Sequence, residues 1–453
     1  MTARHIIVNA TSTHFPTLIL LLVVFCGEAS AYLPPSLSSA IRRTRRTTLE
    51  SSRTIMPRKQ FLVSAAASSL AVMFHSQPAL AFSASRSVSP DASQAATAMT
   101  SNAPASASPA ISDVAYRALS LDFGPGVTVP VAVWHPVEDT APSDVASSGR
   151  LSSLPPPANA AGRQLLTETA TYNHRISVAK IGDLLAGWDF IPSFASRNFV
   201  LKPSLTSAKV YTAPRTNVMP LPSSGPVVVL AHGFLGSRFD LSHLAEELAS
   251  QGFIVVSPEF PESLAASYPR TKDVDRAAIT NKLLDTLQND WLVRPTSYGI
   301  VGHSLGTGTV INTGDDSWTR VCIAGKPSER ASPALFIGST NDGAVSLSRI
   351  GALPSEYVML DEGSIRTADT PLPSKAALIF DRPDAPNHIS FLAEGPNDAM
   401  VQFLSPLLPV AQAMEIPVLD FDKYARVRDS RQTAEVVVPV VSSYLKQNMK
   451  MKN

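Results

Sequence analysis

One five-residue segment constrains the fold of this chain more than any other. Residues 302–306 read Gly-His-Ser-Leu-Gly and directly follow the apolar run at 298–301. A serine between two glycines after a buried strand is typical of a sharp strand-to-helix turn, in which the serine is strained and its neighbours have no room for a Cβ atom. The pattern predicts a nucleophile elbow with Ser304 at its tip and Gly302 and Gly306 on either side. The motif alone is short, so its context must support it.

An earlier apolar run ends in a His-Gly pair and supplies part of that context. Residues 226–231 favour a buried strand, and residues 232–236 read His-Gly-Phe-Leu-Gly. In hydrolases with a nucleophile elbow, one oxyanion-hole N–H belongs to the residue after the serine and another to a loop after an earlier strand. We therefore predict that the backbone N–H groups of Phe234 and Leu305 form an oxyanion hole. The alternative is that the His-Gly pair merely ends a strand.

The position of the general base follows from the order of the histidines. A nucleophile elbow requires the order Ser, then Asp or Glu, then His along the chain. Of the nine histidines, only His388 lies after Ser304. It follows the apolar run at 376–380, where a loop carrying the base is expected. We therefore predict that His388 is catalytic.

The acid has more candidates, because ten Asp or Glu residues lie between Ser304 and His388. Residues 333–338 favour a strand and residues 339–343 a turn behind it, which places Asp342 at the same sheet edge as the serine. An acid there would hold the imidazole in the tautomer that catalysis needs. Asn-Asp-Gly is also simply a good turn sequence, so Asp361 and Glu362, in a later loop, remain alternative acids.

Short apolar runs alternate with segments of helical periodicity along the chain. Residues 234–250 and 275–291 carry apolar side chains at the spacing of a helix face, and residues 163–206 are expected to add helices that cap the sheet. Strands alternating with helices predict an α/β fold with a mostly parallel sheet and helices on both faces. The expected strands are 127–134, 226–231, 298–301, 321–324, 333–338 and 376–380.

Several of these segments resemble known α/β-hydrolases. Residues 228–258, above all 231–236 and 248–256, resemble the chlorophyllase and platelet-activating-factor acetylhydrolase groups. Residues 131–136 and 388–391 are more similar to acetylhydrolases and dienelactone-hydrolase-like proteins. The resemblance implies an α/β-hydrolase fold and a serine carboxylester hydrolase.

The chain departs from these families in two places. Residues 306–308 read Gly-Thr-Gly where Gly-Gly is expected, and the strand at 321–324 is followed by Gly325 and Lys326 with no acid. The acetylhydrolase pattern would place its Asp after that strand. The second departure favours Asp342 as the acid.

The N-terminal region has the composition of a targeting sequence. Residues 18–25 form an apolar run too short to span a bilayer, followed by Ala-Ser-Ala at 29–31, which is typical of a signal peptide. Residues 32–60 contain seven Arg or Lys and a single acid, as in a transit peptide, and the junction resembles that of algal plastid precursors. Arg58 and Lys59 precede a second apolar run ending in Ala-Leu-Ala, which resembles a thylakoid transfer signal. A single uncleaved membrane anchor is the alternative.

These features predict four regions and a location. We expect a signal peptide at 1–31, a plastid transit and thylakoid transfer segment at 32–81, a Ser-, Ala- and Pro-rich disordered linker at 82–112, and the hydrolase domain at 113–453. The expected location is the plastid, in the thylakoid lumen, with peripheral contact to the thylakoid membrane.

Composition argues against several other function classes. A net charge of +1 without a basic block beyond the targeting region gives no reason to expect nucleic-acid binding. No metal-ligand motif is present, so we expect neither metal nor cofactor. Cys26 lies in the signal peptide, which leaves Cys322 as a buried apolar side chain without a disulfide partner.

The sequence therefore predicts a serine carboxylester hydrolase that acts on a small-molecule ester. The targeting region and the resemblance together suggest chlorophyll, a galactolipid or an oxidised phospholipid as the substrate. The alternatives are a phospholipase or galactolipase of the acetylhydrolase type, an acyltransferase, and a non-catalytic lipid- or pigment-binding protein, since a fold does not determine a function.

Overall fold

The computed structural model describes the part of the chain that carries the predicted chemistry. All described residues belong to one unit, formed by Ser108–Leu404 and Pro417–Asn453. The predicted signal peptide, the transit segment and nearly all of the linker lie outside the described residues. The described residues are 111–137, 168–186, 196–212, 221–268, 271, 273–362, 371–404 and 428–449.

A ten-stranded mixed sheet forms the centre of this part of the chain. Its order is β11-β12-β10-β9-β8-β6-β7-β2-β1-β5, and a separate antiparallel pair, β3 and β4, lies outside it. The strands are β1 (Val114–Asp122), β2 (Thr128–Pro136), β3 (Tyr172–Ser177), β4 (Ser196–Leu201), β5 (Val210–Thr212), β6 (Ser224–Ala231), β7 (Ile254–Pro258), β8 (Arg294–His303), β9 (Thr319–Ile323), β10 (Ala334–Ser339), β11 (Val358–Leu360) and β12 (Lys375–Phe380).

Most of the sheet is parallel, which brings several loops to one edge. Strands β7, β6, β8, β9, β10, β12 and β11 pair in parallel, whereas β2 is antiparallel to both β7 and β1. The loops after β6, β8, β10 and β12 therefore meet at the carboxyl edge of the sheet. This is the α/β-hydrolase fold, as the sequence predicted.

Helices cover both faces of the sheet. In β8, Ile300 belongs to the same apolar cluster as Leu283 and Leu287 of α3. The neighbouring Gly299 faces the opposite way and lies against Leu445 of α7, where a Cβ atom would come within 3.1 Å of that side chain. The helices are α1 (Val178–Ala186), α2 (Ser242–Ser250), α3 (Arg276–Asn289), α4 (Gly306–Asn312), α5 (Leu347–Ile350), α6 (Glu394–Leu404) and α7 (Ser430–Asn448), with a 3-10 helix at His388–Phe391.

The segment 163–206 differs from the sequence-based expectation. Helix α1 is present, but strands β3 and β4 flank it and pair with each other along their whole length. Burial alternates along most of β3, with Tyr172, His174 and Ile176 buried and Asn173 and Arg175 exposed. This alternation is that of a half-buried strand, so the prediction of capping helices was wrong for this part.

Two further expectations concern membranes and cysteine. Among the described residues, no helix has the length and apolar character needed to cross a bilayer. Cys322 is buried in β9, and burial raises the pKa of its thiol to about 12. It therefore behaves as a small apolar side chain.

Candidate active site

Ser304 occupies a strained turn between β8 and α4. Its φ angle is +56°, in the left-handed region that side chains other than glycine rarely adopt. A Cβ atom at Gly302 would lie 2.4 Å from the carbonyl oxygen of Gly306, and one at Gly306 would lie 2.0 Å from that of Ala231. Both flanking positions therefore require glycine, because no side chain fits between the turn and β6.

The loop after β6 lies directly against this turn. A Cβ atom at Gly233 would come within 3.0 Å of the Cβ atom of Ser304. Within the described part of the chain, the backbone N–H groups of Phe234 and Leu305 have no hydrogen-bond partner. Two free donors beside a serine can hold an oxyanion.

Asp342 and His388 contact each other at the same edge of the sheet. His388 Nδ1 lies 2.8 Å from Asp342 Oδ2, and the carboxylate is fully buried. The other carboxylate oxygen, Oδ1, accepts hydrogen bonds from the N–H groups of Ala344 (2.9 Å) and Val345 (2.7 Å). These partners hold the carboxylate in place, so Asp342 can orient the imidazole.

Of the two alternative acids, Glu362 has a different partner. Glu362 forms an ion pair with Arg428 at 3.0 Å, with both side chains mostly buried. Nδ1 of the His388 ring is paired with Asp342 and not with Asp361 or Glu362.

The loop that carries His388 is held by one of its own side chains and by a side chain of α6. The Asn387 side chain accepts hydrogen bonds from the N–H groups of Ile389 and Ser390 and so caps the 3-10 helix. Asn397 of α6 donates to the carbonyl oxygen of Ile389 at 2.6 Å. His388 is thereby presented at the sheet edge, with a side chain that is 10% exposed.

His303 connects this loop to the nucleophile turn. It immediately precedes Ser304, its ring lies 4.7 Å from the His388 ring, and its Nε2 donates to the His388 carbonyl oxygen at 3.0 Å. Burial, and secondarily the nearby His388, hold the pKa of His303 well below its usual value, so the ring stays neutral. The sequence analysis did not assign His303 a role, although a polar residue ending the apolar strand β8 was a signal that could have found it.

Among the described residues, Ser304 and His388 form no direct hydrogen bond with each other. The two residues are brought together through His303 and through the meeting of the β8 and β12 loops.

His232 connects the loop after β6 to the segment that follows β7. Its Nδ1 donates to the carbonyl oxygen of Gly233 at 2.8 Å, and its Nε2 accepts from the N–H of Phe260 at 2.9 Å. Burial is the largest cause that lowers its pKa well below the usual value, and the charge of Arg276 adds to the effect. Both ring nitrogens are thus used in fixing the loop.

No metal centre is evident in this part of the protein. The described ranges contain no group of three or more His, Cys, Asp or Glu side chains arranged to hold a metal ion.

Comparisons with known proteins agree with the fold and with part of the site. A chlorophyllase family model matches residues 197–313, about a quarter of the chain. This range includes the β6 loop and the nucleophile turn but ends before Asp342 and His388. The resemblance to chlorophyllases is confirmed over this range and supports a carboxylic ester hydrolase. Comparison with curated proteins gives no match.

Solved structures give more distant similarities. A ferulic acid esterase from Streptomyces cinnamoneus is 17% identical, with 77% of this chain and 92% of that chain covered and a TM-score of 0.38. An α/β serine hydrolase without a lid from Xanthomonas campestris is 12% identical, with 65% and 94% covered and a TM-score of 0.27. At these scores neither structure carries an argument about the chemistry of this chain, so the fold assignment rests on its strand order.

Proposed function

We propose that this protein is a serine carboxylester hydrolase that acts through an acyl-enzyme. The observation that carries the proposal is the buried Asp342–His388 pair, 2.8 Å apart, at the sheet edge where Ser304 sits in a left-handed turn. Since Nδ1 of His388 donates to Asp342, Nε2 has a free lone pair and can accept a proton.

The reaction proceeds in two halves. His388 Nε2 takes the Ser304 proton as Oγ attacks the ester carbonyl, and the resulting oxyanion accepts hydrogen bonds from the Phe234 and Leu305 N–H groups. The tetrahedral intermediate collapses when the imidazolium gives its proton to the leaving alcohol. A water molecule, deprotonated by His388, then attacks the acyl-enzyme, and the same proton transfers release the acid and restore Ser304.

The proposed substrate is a pigment or lipid ester with a large apolar part. Leu305 is 43% exposed directly beside Ser304, so an apolar side chain borders the reacting hydroxyl. The match to a chlorophyllase family model favours chlorophyll, which would be cleaved to chlorophyllide and phytol. The plastid, with the thylakoid lumen as compartment, is the proposed location, on the strength of the N-terminal sequence alone.

Ser304→Ala in the full chain tests the activity. We expect hydrolysis of short-chain nitrophenyl esters to fall by about 10⁴-fold or more, because the nucleophile is lost. A fluorophosphonate probe should label the wild type and the control Ser348→Ala, an exposed serine on α5, but not Ser304→Ala. Hydrolysis by Ser304→Ala at the wild-type rate would show that Ser304 is not the nucleophile, and a wild type that neither hydrolyses these esters nor is labelled would favour a binding protein on this fold.

The same assay with chlorophyll, a monogalactosyl lipid and a phospholipid side by side tests the substrate. We expect chlorophyll to give the highest kcat/KM. Faster hydrolysis of a lipid would favour the acetylhydrolase type, to which residues 131–136 and 388–391 are similar.

A further inference from the structure

The turn that carries Asp342 also contacts the loop that carries His388. Asn341, the residue before the acid, has no task in the proposed reaction. Its side-chain Nδ2 donates to two carbonyl oxygens of that loop, those of Pro383 at 3.1 Å and Ala385 at 3.0 Å. These hydrogen bonds span 42 and 44 positions of the chain, so the formation of the turn itself does not need them.

An amide nitrogen is the group that suits these two contacts. Carbonyl oxygens only accept hydrogen bonds, and the two N–H groups of the Asn341 amide supply one donor for each of them. An aspartate at this position would place further acceptors against the same two acceptors. Asparagine and aspartate are both favoured in turns. The need for a donor, rather than turn formation, therefore explains why asparagine fits at position 341.

Two further residues of the same turn contact the same loop. Ser339, which ends β10 and is 1% exposed, donates from Oγ to the carbonyl oxygen of Pro386 at 2.5 Å. The Thr340 N–H donates to the carbonyl oxygen of Phe380 at 2.9 Å, at the end of β12. The turn therefore contacts the loop along its length, from the end of β12 almost to the base.

The loop has little structure of its own that could replace these contacts. Residues 381–384 are exposed, and two of the seven residues at 381–387 are prolines, which have no backbone N–H. Inside this segment of the described chain, the one backbone hydrogen bond joins the Ala385 N–H to the Arg382 carbonyl oxygen at 2.9 Å. Carbonyl groups released by the turn would bind water instead, so the loop would lose its fixed position.

The chain is held by different elements on the two sides of the base. The His388 carbonyl oxygen accepts from His303, and Asn397 donates to the next carbonyl oxygen, so the backbone from the base onward is attached to β8 and α6. Before the base, side chains of the acid turn provide the attachment. The 2.8 Å separation of His388 Nδ1 from Asp342 Oδ2 therefore depends on the turn that supplies the acid.

We propose that Asn341 is a positioning residue that sets the distance between the acid and the base. The Asp342 carboxylate orients the imidazole of His388, and the Asn341 amide holds the backbone that carries this imidazole. One turn thus fixes both partners of the hydrogen bond. The effect on catalysis rests on the proposed esterase function, whereas the effect on the acid–base pair does not depend on any activity.

Asn341→Asp in the full chain removes both donors and keeps a side chain of the same size and turn preference. We expect kcat for a nitrophenyl ester to fall by about 10- to 100-fold with KM nearly unchanged, because a misplacement of about 1 Å can cost about 10²-fold. Asn341→Ala, which adds no charge, should have the same effect. Ser339→Ala, which removes one donor of the turn, should lower kcat by a smaller factor.

Asn448→Asp is the matched control for these variants. Asn448 also donates from its side chain to a backbone carbonyl oxygen, that of Tyr444 at 3.0 Å, at the end of α7. The substitution makes the same chemical change away from the acid turn. It should leave kcat and KM near their wild-type values.

Proton NMR of the same variants reports on the acid–base pair directly. An imidazole Nδ1 proton in a strong hydrogen bond to a buried carboxylate resonates at unusually low field, and its signal broadens when water gains access and the proton exchanges. The wild type should show this signal, and Asp342→Asn, which removes the carboxylate, should lack it. In Asn341→Asp and Asn341→Ala we expect the signal to be broadened or lost while the far-UV circular dichroism stays that of the wild type.

Four results would each overturn the inference. They are the absence of the low-field signal from the wild type, an unchanged signal in both Asn341 variants, a wild-type kcat in both, and a loss of activity confined to KM. If the Asn341 variants do not fold, the same two measurements on Ser339→Ala decide. If the wild type hydrolyses no ester, the proposed function fails, and the NMR signal alone decides whether Asn341 positions the base.

Discussion

At the scale of single residues, the pairing of Asp342 with His388 fixes which imidazole nitrogen carries the proton. A carboxylate accepts hydrogen bonds and does not donate them, so Nδ1 of His388 must be the protonated nitrogen. His303 Nε2 donates to the carbonyl oxygen of the same residue, so it holds the His388 backbone. Backbone and side chain of His388 are thus oriented by different partners.

Asp342→Asn should lower kcat by about 10⁴-fold, with little change in KM. The amide would present an N–H or a differently placed oxygen to Nδ1, so the imidazole would lose the tautomer in which Nε2 accepts a proton. The measurement is steady-state hydrolysis of a nitrophenyl ester at neutral pH. Glu362→Gln is the matched control, because it removes an alternative acid whose partner is Arg428, and it should retain most of the activity. A larger loss for Glu362→Gln than for Asp342→Asn would show that the acid is misassigned.

At the scale of elements, the loop after β6 is fixed by the segment that follows β7. Leu235 N–H donates to the Glu262 carbonyl oxygen at 3.0 Å, and Leu264 N–H donates to that of Gly236 at 3.2 Å. The fully buried Glu259 accepts from the Arg238 backbone N–H at 3.1 Å and forms an ion pair with its guanidinium. The Phe234 N–H therefore keeps its position through contacts made up to about 30 residues away in the chain.

Glu259→Gln should reduce kcat by about 10- to 100-fold while KM changes little. The amide cannot neutralise Arg238, so we expect the loop to shift and one oxyanion donor to be misplaced, and full loss of such a donor costs about 10²–10³-fold. Parallel kcat and KM measurements separate this effect from weakened substrate binding. Glu356→Gln is the matched control, because Glu356 pairs with Lys375 at 3.5 Å at the opposite end of the strands. It should leave kcat and KM near their wild-type values. A change confined to KM would contradict the proposed role of the Glu259–Arg238 ion pair.

The elements that the sequence revealed are those with unbroken local patterns. Strands β6, β8, β10 and β12 each contain a short apolar run followed by turn residues, so the sheet edge and the order of Ser304, Asp342 and His388 could be predicted from them. Helix α7 was not predicted, because Pro439 lies within it and normally argues against a helix interior. That proline is exposed, so the carbonyl that loses its partner can be hydrated.

Non-local contacts explain what the sequence did not reveal. The ion pair of Glu259 with Arg238 joins two loops, and neither residue stands in a recognisable motif. The contact between His303 and His388 spans 85 positions and depends on how β8 and β12 are placed in the sheet. Such pairs are set by tertiary structure, so local periodicity cannot indicate them.

At the scale of the whole molecule, five of the buried histidines in the described ranges have lowered pKa values, which makes the folded state sensitive to acid. Burial is the largest cause in every case, because it disfavours the charged imidazolium. The unfolded chain binds protons on these residues below a pKa of about 6.5, whereas the folded protein does not until much lower pH. Their pKa values are lowered to about 4 for His135 and His243, to about 3 for His174, and well below the usual value for His232 and His303.

Two buried carboxylates act in the opposite direction. Burial raises the pKa values of Asp240 and Glu246 to about 7, so between pH 4 and 7 the folded state holds protons that the unfolded state has released. Their contribution to stability is present at low pH and is lost as the pH rises towards 7. The five histidines outnumber them, so in the window from about pH 6 to 4.5 the unfolded state binds more protons overall.

We therefore expect the free energy of unfolding to decrease as the pH is lowered from 6 to 4.5. Each net proton changes it by about 1.4 kcal/mol per pH unit, and the excess of histidines over carboxylates sets the sign. Guanidinium chloride unfolding of the full chain at several pH values measures this, and a constant m-value would show that the same transition is followed throughout. His174→Phe removes one of these histidines while keeping a ring against Phe199 and Phe239. In this variant the slope of the unfolding free energy against pH should be smaller by about 1.4 kcal/mol per pH unit, the contribution of one proton. Stability that increases on acidification over this range, or an unchanged slope in His174→Phe, would contradict the assignment of the buried histidines as neutral.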